Sequence, residues 1–83
     1  MDEKPTTPET ELIAIVHDRP GVLAKIAGAC YRRGLDIAAL SVAPTEEAER
    51  SRLVARVRGG RQDVARLGLA LENLVDVLSV RIP

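Results

Sequence analysis

His17-Asp18-Arg19-Pro20-Gly21-Val22-Leu23 joins two stretches with different hydrophobic periods. Before it, Leu12-Ile13-Ala14-Ile15-Val16 is an unbroken apolar run, the composition of a strand covered on both faces. After it, Val22, Leu23, Ile26, Ala27 and Cys30 recur at helical spacing. Pro20 has its φ preset for a first helical turn and lacks the N–H that would go unpaired there. Gly21, without a Cβ, lets a ligand or a neighbouring backbone approach closely. Asp18 stands where a helix-capping or ligand-binding carboxylate would stand. The free N–H groups of the first turn, with the helix dipole behind them, make a small anion site. The stretch is a strand–turn–helix whose turn could hold a carboxylate.

Working outward, the first strand runs from Thr10 to His17, with Leu12, Ala14 and Val16 on one face and Ile13 and Ile15 on the other. The helix extends from Pro20 to about Arg33, and Gly34 ends it as a left-handed cap. Leu35 to Ala43 is a second strand, and Pro44-Thr45-Glu46-Glu47-Ala48-Glu49 a polar loop. Arg50 to Arg58 alternates sharply: Leu53, Ala55 and Val57 point one way, Arg52, Arg56 and Arg58 the other. Gly59-Gly60 breaks that strand. A second helix spans Arg61 to Glu72, with Val64, Leu67 and Leu71 in register and Asn73 as its cap. Val75 to Ile82 is a fourth strand, placing Leu78, Val80 and Ile82 on one face. The fold class is α+β, a ferredoxin-like βαββαβ: a four-stranded antiparallel sheet with two helices on one face. Either Ile13 and Ile15 or Leu12 and Val16 are then left uncovered. A homodimer is expected to cover them.

Eighty-three residues make one small domain with a marginal core. Twelve basic and twelve acidic residues cancel, which disfavours nucleic acid and anionic membranes as partners. One Tyr and no Phe or Trp leave no stacking platforms for bases. The single Cys makes neither an internal disulfide nor a multi-cysteine metal site, and fits a cytoplasmic setting. No apolar run approaches a membrane span. Met1 to Glu9, polar and proline-bearing, is expected to be a flexible tail rather than a signal peptide.

The element order with Asp-Arg-Pro-Gly-Val-Leu at the first turn resembles the ACT domain, a regulatory module that commonly binds amino acids. Arg32-Arg33-Gly34-Leu35-Asp36-Ile37, Leu40-Ser41-Val42-Ala43-Pro44-Thr45-Glu46-Glu47, Ser51-Arg52 and Leu74-Val75-Asp76-Val77-Leu78-Ser79-Val80 sharpen this. They resemble the small regulatory subunit of acetolactate synthase (acetohydroxyacid synthase). The resemblance covers residues 10–82 and sets an ACT domain at 10–83. It implies a non-catalytic subunit of branched-chain amino acid biosynthesis, without a cofactor of its own. It activates a large catalytic subunit that carries thiamine diphosphate, Mg²⁺ and FAD. It also implies feedback by valine, gripped between two chains by Asp18, Pro20, Gly21 and Val22 of one and Asp36 of the other. The family usually has Asn at both aspartate positions, and single-domain members resemble this length.

Other residues offer less. Asp18 could simply cap the helix and Asp36 could be an exposed strand start. His17 has no nucleophile or acid at recognisable spacing and is expected at a surface or interface. Cys30 falls on the apolar helix stripe, and Tyr31 is expected at the helix edge with a wet hydroxyl. No nucleophile–base pair, metal cluster or glycine-rich phosphate loop is recognisable, so no catalytic or metal-binding residue is assigned. Arg52, Arg56 and Arg58 make either a solvated face or a docking surface for an acidic partner. The competing functional reading is a stand-alone ACT sensor serving another enzyme or a transcription factor.

Overall fold

In the computed structural model, which describes residues 7–83, the order is β1 (Glu9–His17), α1 (Val22–Arg32), β2 (Asp36–Pro44), β3 (Arg50–Arg58), α2 (Arg61–Glu72) and β4 (Val77–Arg81). The strands form one antiparallel sheet in the order β2-β3-β1-β4. This is the expected ferredoxin-like βαββαβ arrangement. Residues 1–6 of the expected tail lie outside the described residues. At its other end that tail is corrected: Glu9 is already in β1, opposite Arg58.

The β1–β3 register decides which face is covered. Leu12, Ala14 and Val16 pair with Ala55, Leu53 and Ser51, and all six are buried. Val22, Ile26, Ala29 and Cys30 of α1 and Val64, Leu67 and Leu71 of α2 close over them. Ile13, Ile15 and Val54 therefore lie on the open face and are half-buried. With no Phe or Trp in the sequence and Tyr31 exposed, the largest fully buried side chains are leucines and valines.

Three local expectations are corrected. The first helix begins at Val22 rather than Pro20, because Arg19-Pro20-Gly21-Val22 is a β-turn. Gly21 has φ 87° and ψ −9°, and the Val22 N–H faces the Arg19 carbonyl at 3.4 Å. Pro at the second and glycine at the third position with positive φ is a type II turn. The last strand begins at Val77 rather than Val75, which is exposed in the turn after α2. A register irregularity between Ile15 and Val16 then leaves Leu78 out of the core that Val77, Val80 and Ile82 join. An extra residue in one strand breaks the two-residue alternation at that point.

The α1 terminus follows expectation. Gly34 has φ 70°, its N–H reaches the Tyr31 carbonyl at 3.0 Å, and the Leu35 N–H reaches that of Cys30 at 3.0 Å. These two bonds are the Schellman pattern.

Candidate functional site

The β1–α1 turn opens on a cleft of about 230 Å³ lined by residues 16–23 with Val42 and Ser51. That is below the roughly 300–1,000 Å³ of sites for drug-sized ligands. Its size suits a small metabolite rather than a nucleotide. Asp18, Pro20, Gly21 and Val22, the expected effector residues of this chain, all line it.

Asp18 does not cap α1. The helix has no side-chain cap, Gly21 occupies the N-cap, and the Asp18 N–H donates to the Glu49 carbonyl at 2.8 Å. Glu49 itself adopts φ 65°. The turn is thus laced to the β2–β3 loop, where the Thr45 hydroxyl accepts the Glu47 N–H at 3.0 Å and the Thr45 N–H reaches the Arg50 carbonyl. Among the described residues the Asp18 carboxylate has no hydrogen-bond or ion-pair partner.

Gly21 is required by the backbone. A Cβ there would meet no atom within 4 Å, so the left-handed φ, not crowding, selects glycine in the free chain. Gly21→Ala should cost about 1–2 kcal/mol, Gly21→Asn less and Gly21→Val more. Urea unfolding of the series checks this ranking. An Ala variant as stable as wild type would show that the turn relaxes freely.

Asp36 is not at this site within one chain. It pairs with Arg58 at one end of the sheet, whereas His17 pairs with Arg50 at the other. The nine residues of β2 separate these ends by about 26 Å at about 3.3 Å per residue.

Asp76, not singled out as a site residue, organises the turn. It is buried, its carbonyl accepts the His17 N–H at 2.8 Å, and its Oδ1 accepts from Arg19 at 3.1 Å. His17 Nδ1 lies 3.4 Å from Oδ1 and Lys25 Nζ 3.8 Å from Oδ2. Arg19 and Lys25 are largely exposed, so these contacts contribute modestly to stability. Their effect is positional: they tie the turn and the first turn of α1 to the start of β4. A lone acid inside Leu74-Val75-Asp76-Val77 was the available signal, since a carboxylate is rarely buried without partners.

Cys30 is buried, and burial pushes its thiol above its ordinary value. It packs as a small hydrophobe. Tyr31 is exposed. Arg52, Arg56 and Arg58 stand on the open face of the sheet, Arg56 and Arg58 within 3.8 and 3.7 Å of Glu9. Among the described residues, no cluster of three metal-ligating side chains occurs and no helix is long and apolar enough to cross a membrane.

A second apolar feature borders the cleft. Leu40 and Val42 of β2 face the helix side of the sheet, yet are 44% and 45% exposed, as is Leu23 of α1 at 45%. Ile37 of this edge strand packs against the core under the helices, but Leu40 and Val42 further along it are left largely open.

A βαββαβ sheet with a cleft at its first turn defines the class, a regulatory module of ACT type. The AHAS small subunit-like ACT domain model matches residues 12–79, and the chain belongs to that family. It is 35% identical to a probable acetolactate synthase small subunit of Archaeoglobus fulgidus, over 83% of this chain and 43% of that protein. It is 33% identical to the acetolactate synthase small subunit of Mycobacterium bovis, over 89% of this chain and 45% of that one. The crystal structure of the Thermotoga maritima small subunit superposes with TM-score 0.82 at 32% identity, covering 90% of this chain and 47% of that one. An ACT domain of GTP pyrophosphokinase from Chlorobium tepidum, 12% identical with TM-score 0.71, shares the fold. The chain thus spans less than half the length of the small subunits it matches. The relatives are named as small subunits of acetolactate synthase, the family that the resemblance pointed to.

Proposed function

We propose that this chain is a regulatory ACT subunit of a cytoplasmic acetolactate synthase in branched-chain amino acid biosynthesis. It binds and activates the large catalytic subunit, and holds a small amino acid, valine in first place, between two copies. The family match over residues 12–79 carries this reading. Thiamine diphosphate, Mg²⁺ and FAD belong on this reading to the large subunit.

Pairing of two copies is supported by the exposed Leu40, Val42 and Leu23 beside an edge strand with free backbone groups. A two-fold pairing of β2 with β2 runs antiparallel. It would bring the Asp36 end of one strand towards the Pro44 end of the other, next to the partner's Asp18 cleft. That is the arrangement in which Asp18, Pro20, Gly21 and Val22 of one protomer and Asp36 of the other contact one ligand. The ligand carboxylate is expected on the first-turn N–H groups of α1, its ammonium near the aspartates.

Reconstitution tests the function. Adding the purified chain to its cognate large subunit should raise the rate of acetolactate formation, while the chain alone has no turnover. An unchanged rate, with capture of a different enzyme or a transcription factor from the same cells, would favour the stand-alone sensor. Sedimentation at micromolar concentration should show a dimer, and a stable monomer would remove the shared-site geometry.

A further inference from the structure

The sheet's open face differs in charge from the β2 edge, and the difference sorts their partners. Across the central strands Ile13 pairs with Val54 and Ile15 with Arg52, while β4 sets Arg81 beside Ile13. Ile13, Ile15 and Val54 thus form a half-buried apolar centre with Arg52 and Arg81 on its two sides. Glu9 engages Arg56 and Arg58, and Glu47 engages Arg50, whereas Arg52 and Arg81 have no carboxylate partner among the described residues. On β2 the facing residues are small: Ala39, Ser41 and Ala43 pair with Arg56, Val54 and Arg52. They leave a hollow of about 150 Å³ against Val54 and Arg56, with Glu11 on its wall.

We infer that this face docks an acidic protein surface presenting carboxylates around an apolar projection, and that the large subunit supplies it. The inference rests on the proposed function and adds the surface and its chemistry. A second copy is a poor occupant. A two-fold contact sets the same patch against itself, so Arg52 and Arg81 of each copy would find Glu11 as the one acid near the patch centre that is not already held, Glu9 being engaged by Arg56 and Arg58. The β2 edge, apolar and uncharged at Leu40 and Val42, carries no such penalty. RNA is also disfavoured, because the centre is aliphatic and Glu9 and Glu11 lie within the face. Arg81, on a strand distant in sequence from β3, is the member that the arginine alternation of β3 did not reveal.

The test uses the full chain and its cognate large subunit. Arg52→Glu with Arg81→Glu should weaken binding on the order of 30-fold or more, as loss of charge pairs in a desolvated contact does. Raising the salt concentration should weaken the wild-type complex, while sedimentation and the unfolding midpoint of the variant stay as in wild type. Undiminished affinity of the folded double variant would overturn the inference and leave the proposed function standing. So would a labelled uridine 20-mer binding more tightly than the large subunit. Absence of wild-type binding to the large subunit would instead defeat the proposed function, and this inference with it.

Discussion

Leu67→Ala is expected to remove a large fraction of the stability of the isolated chain. Leu67 is fully buried on α2, within the single core that joins both helices to the sheet. Deleting such a side chain costs about 2–5 kcal/mol, the transfer of the lost methyl and methylene groups plus the cavity left behind. A chain of this length has a total stability of about 4–12 kcal/mol at the usual value per residue. The core has little reserve, because its largest fully buried members are Leu12, Leu53, Leu67, Leu71, Val57 and Val64. Leu69→Ala, two residues away and mostly exposed, should change stability by less than about 0.5 kcal/mol. Urea unfolding followed by circular dichroism measures both. A loss below 1 kcal/mol for Leu67→Ala, to order of magnitude, would mean that α2 collapses into the cavity. Because dimerisation stabilises by mass action, both midpoints should rise with protein concentration on the proposed reading.

Core positions were legible wherever a period ran undisturbed. The alternation of β3 and the helical stripe of α2 each named their buried residues, because one face of each element meets the core and the other meets water. Legibility failed where the backbone left its period. Pro20 suits a helix start and a type II turn equally well. Only the positive φ of Gly21 decides between them, and that depends on how the chain re-enters the core. Leu78 fell on the wrong face because one irregular residue in β4 reverses the parity. Which face of β1 was covered stayed open, since a strand apolar on both sides does not say where the helices lie. For the candidate site, the contiguous turn residues were legible and the long-range partners were not. Asp76 meets His17, Arg19 and Lys25 across more than fifty residues of sequence, and no local pattern encodes that meeting.

The aspartates also set the expected ligand response. On the proposed reading, valine binds the wild-type dimer weakly, and Asp18→Asn with Asp36→Asn tightens binding. Each carboxylate held about 4 Å from the carboxylate of the ligand opposes it by roughly 1–4 kcal/mol, for effective dielectrics between bulk water and a protein surface. Asn can donate as well as accept, so the exchange removes repulsion and adds a donor for the same oxygens. A gain on the order of tenfold or more corresponds to the lower end of that range. Such a change is as large as the coupling energy of an ordinary allosteric effector, so it would separate a valine-responsive enzyme from an unresponsive one. Added salt should narrow the gap between wild type and variant, because the sites are open to solvent and the repulsion is screened. Calorimetry on both proteins decides the matter. Tight wild-type binding that the double substitution weakens would place both aspartates against the ammonium group instead, and the carboxylate of the ligand would then lie wholly on the α1 N-terminus.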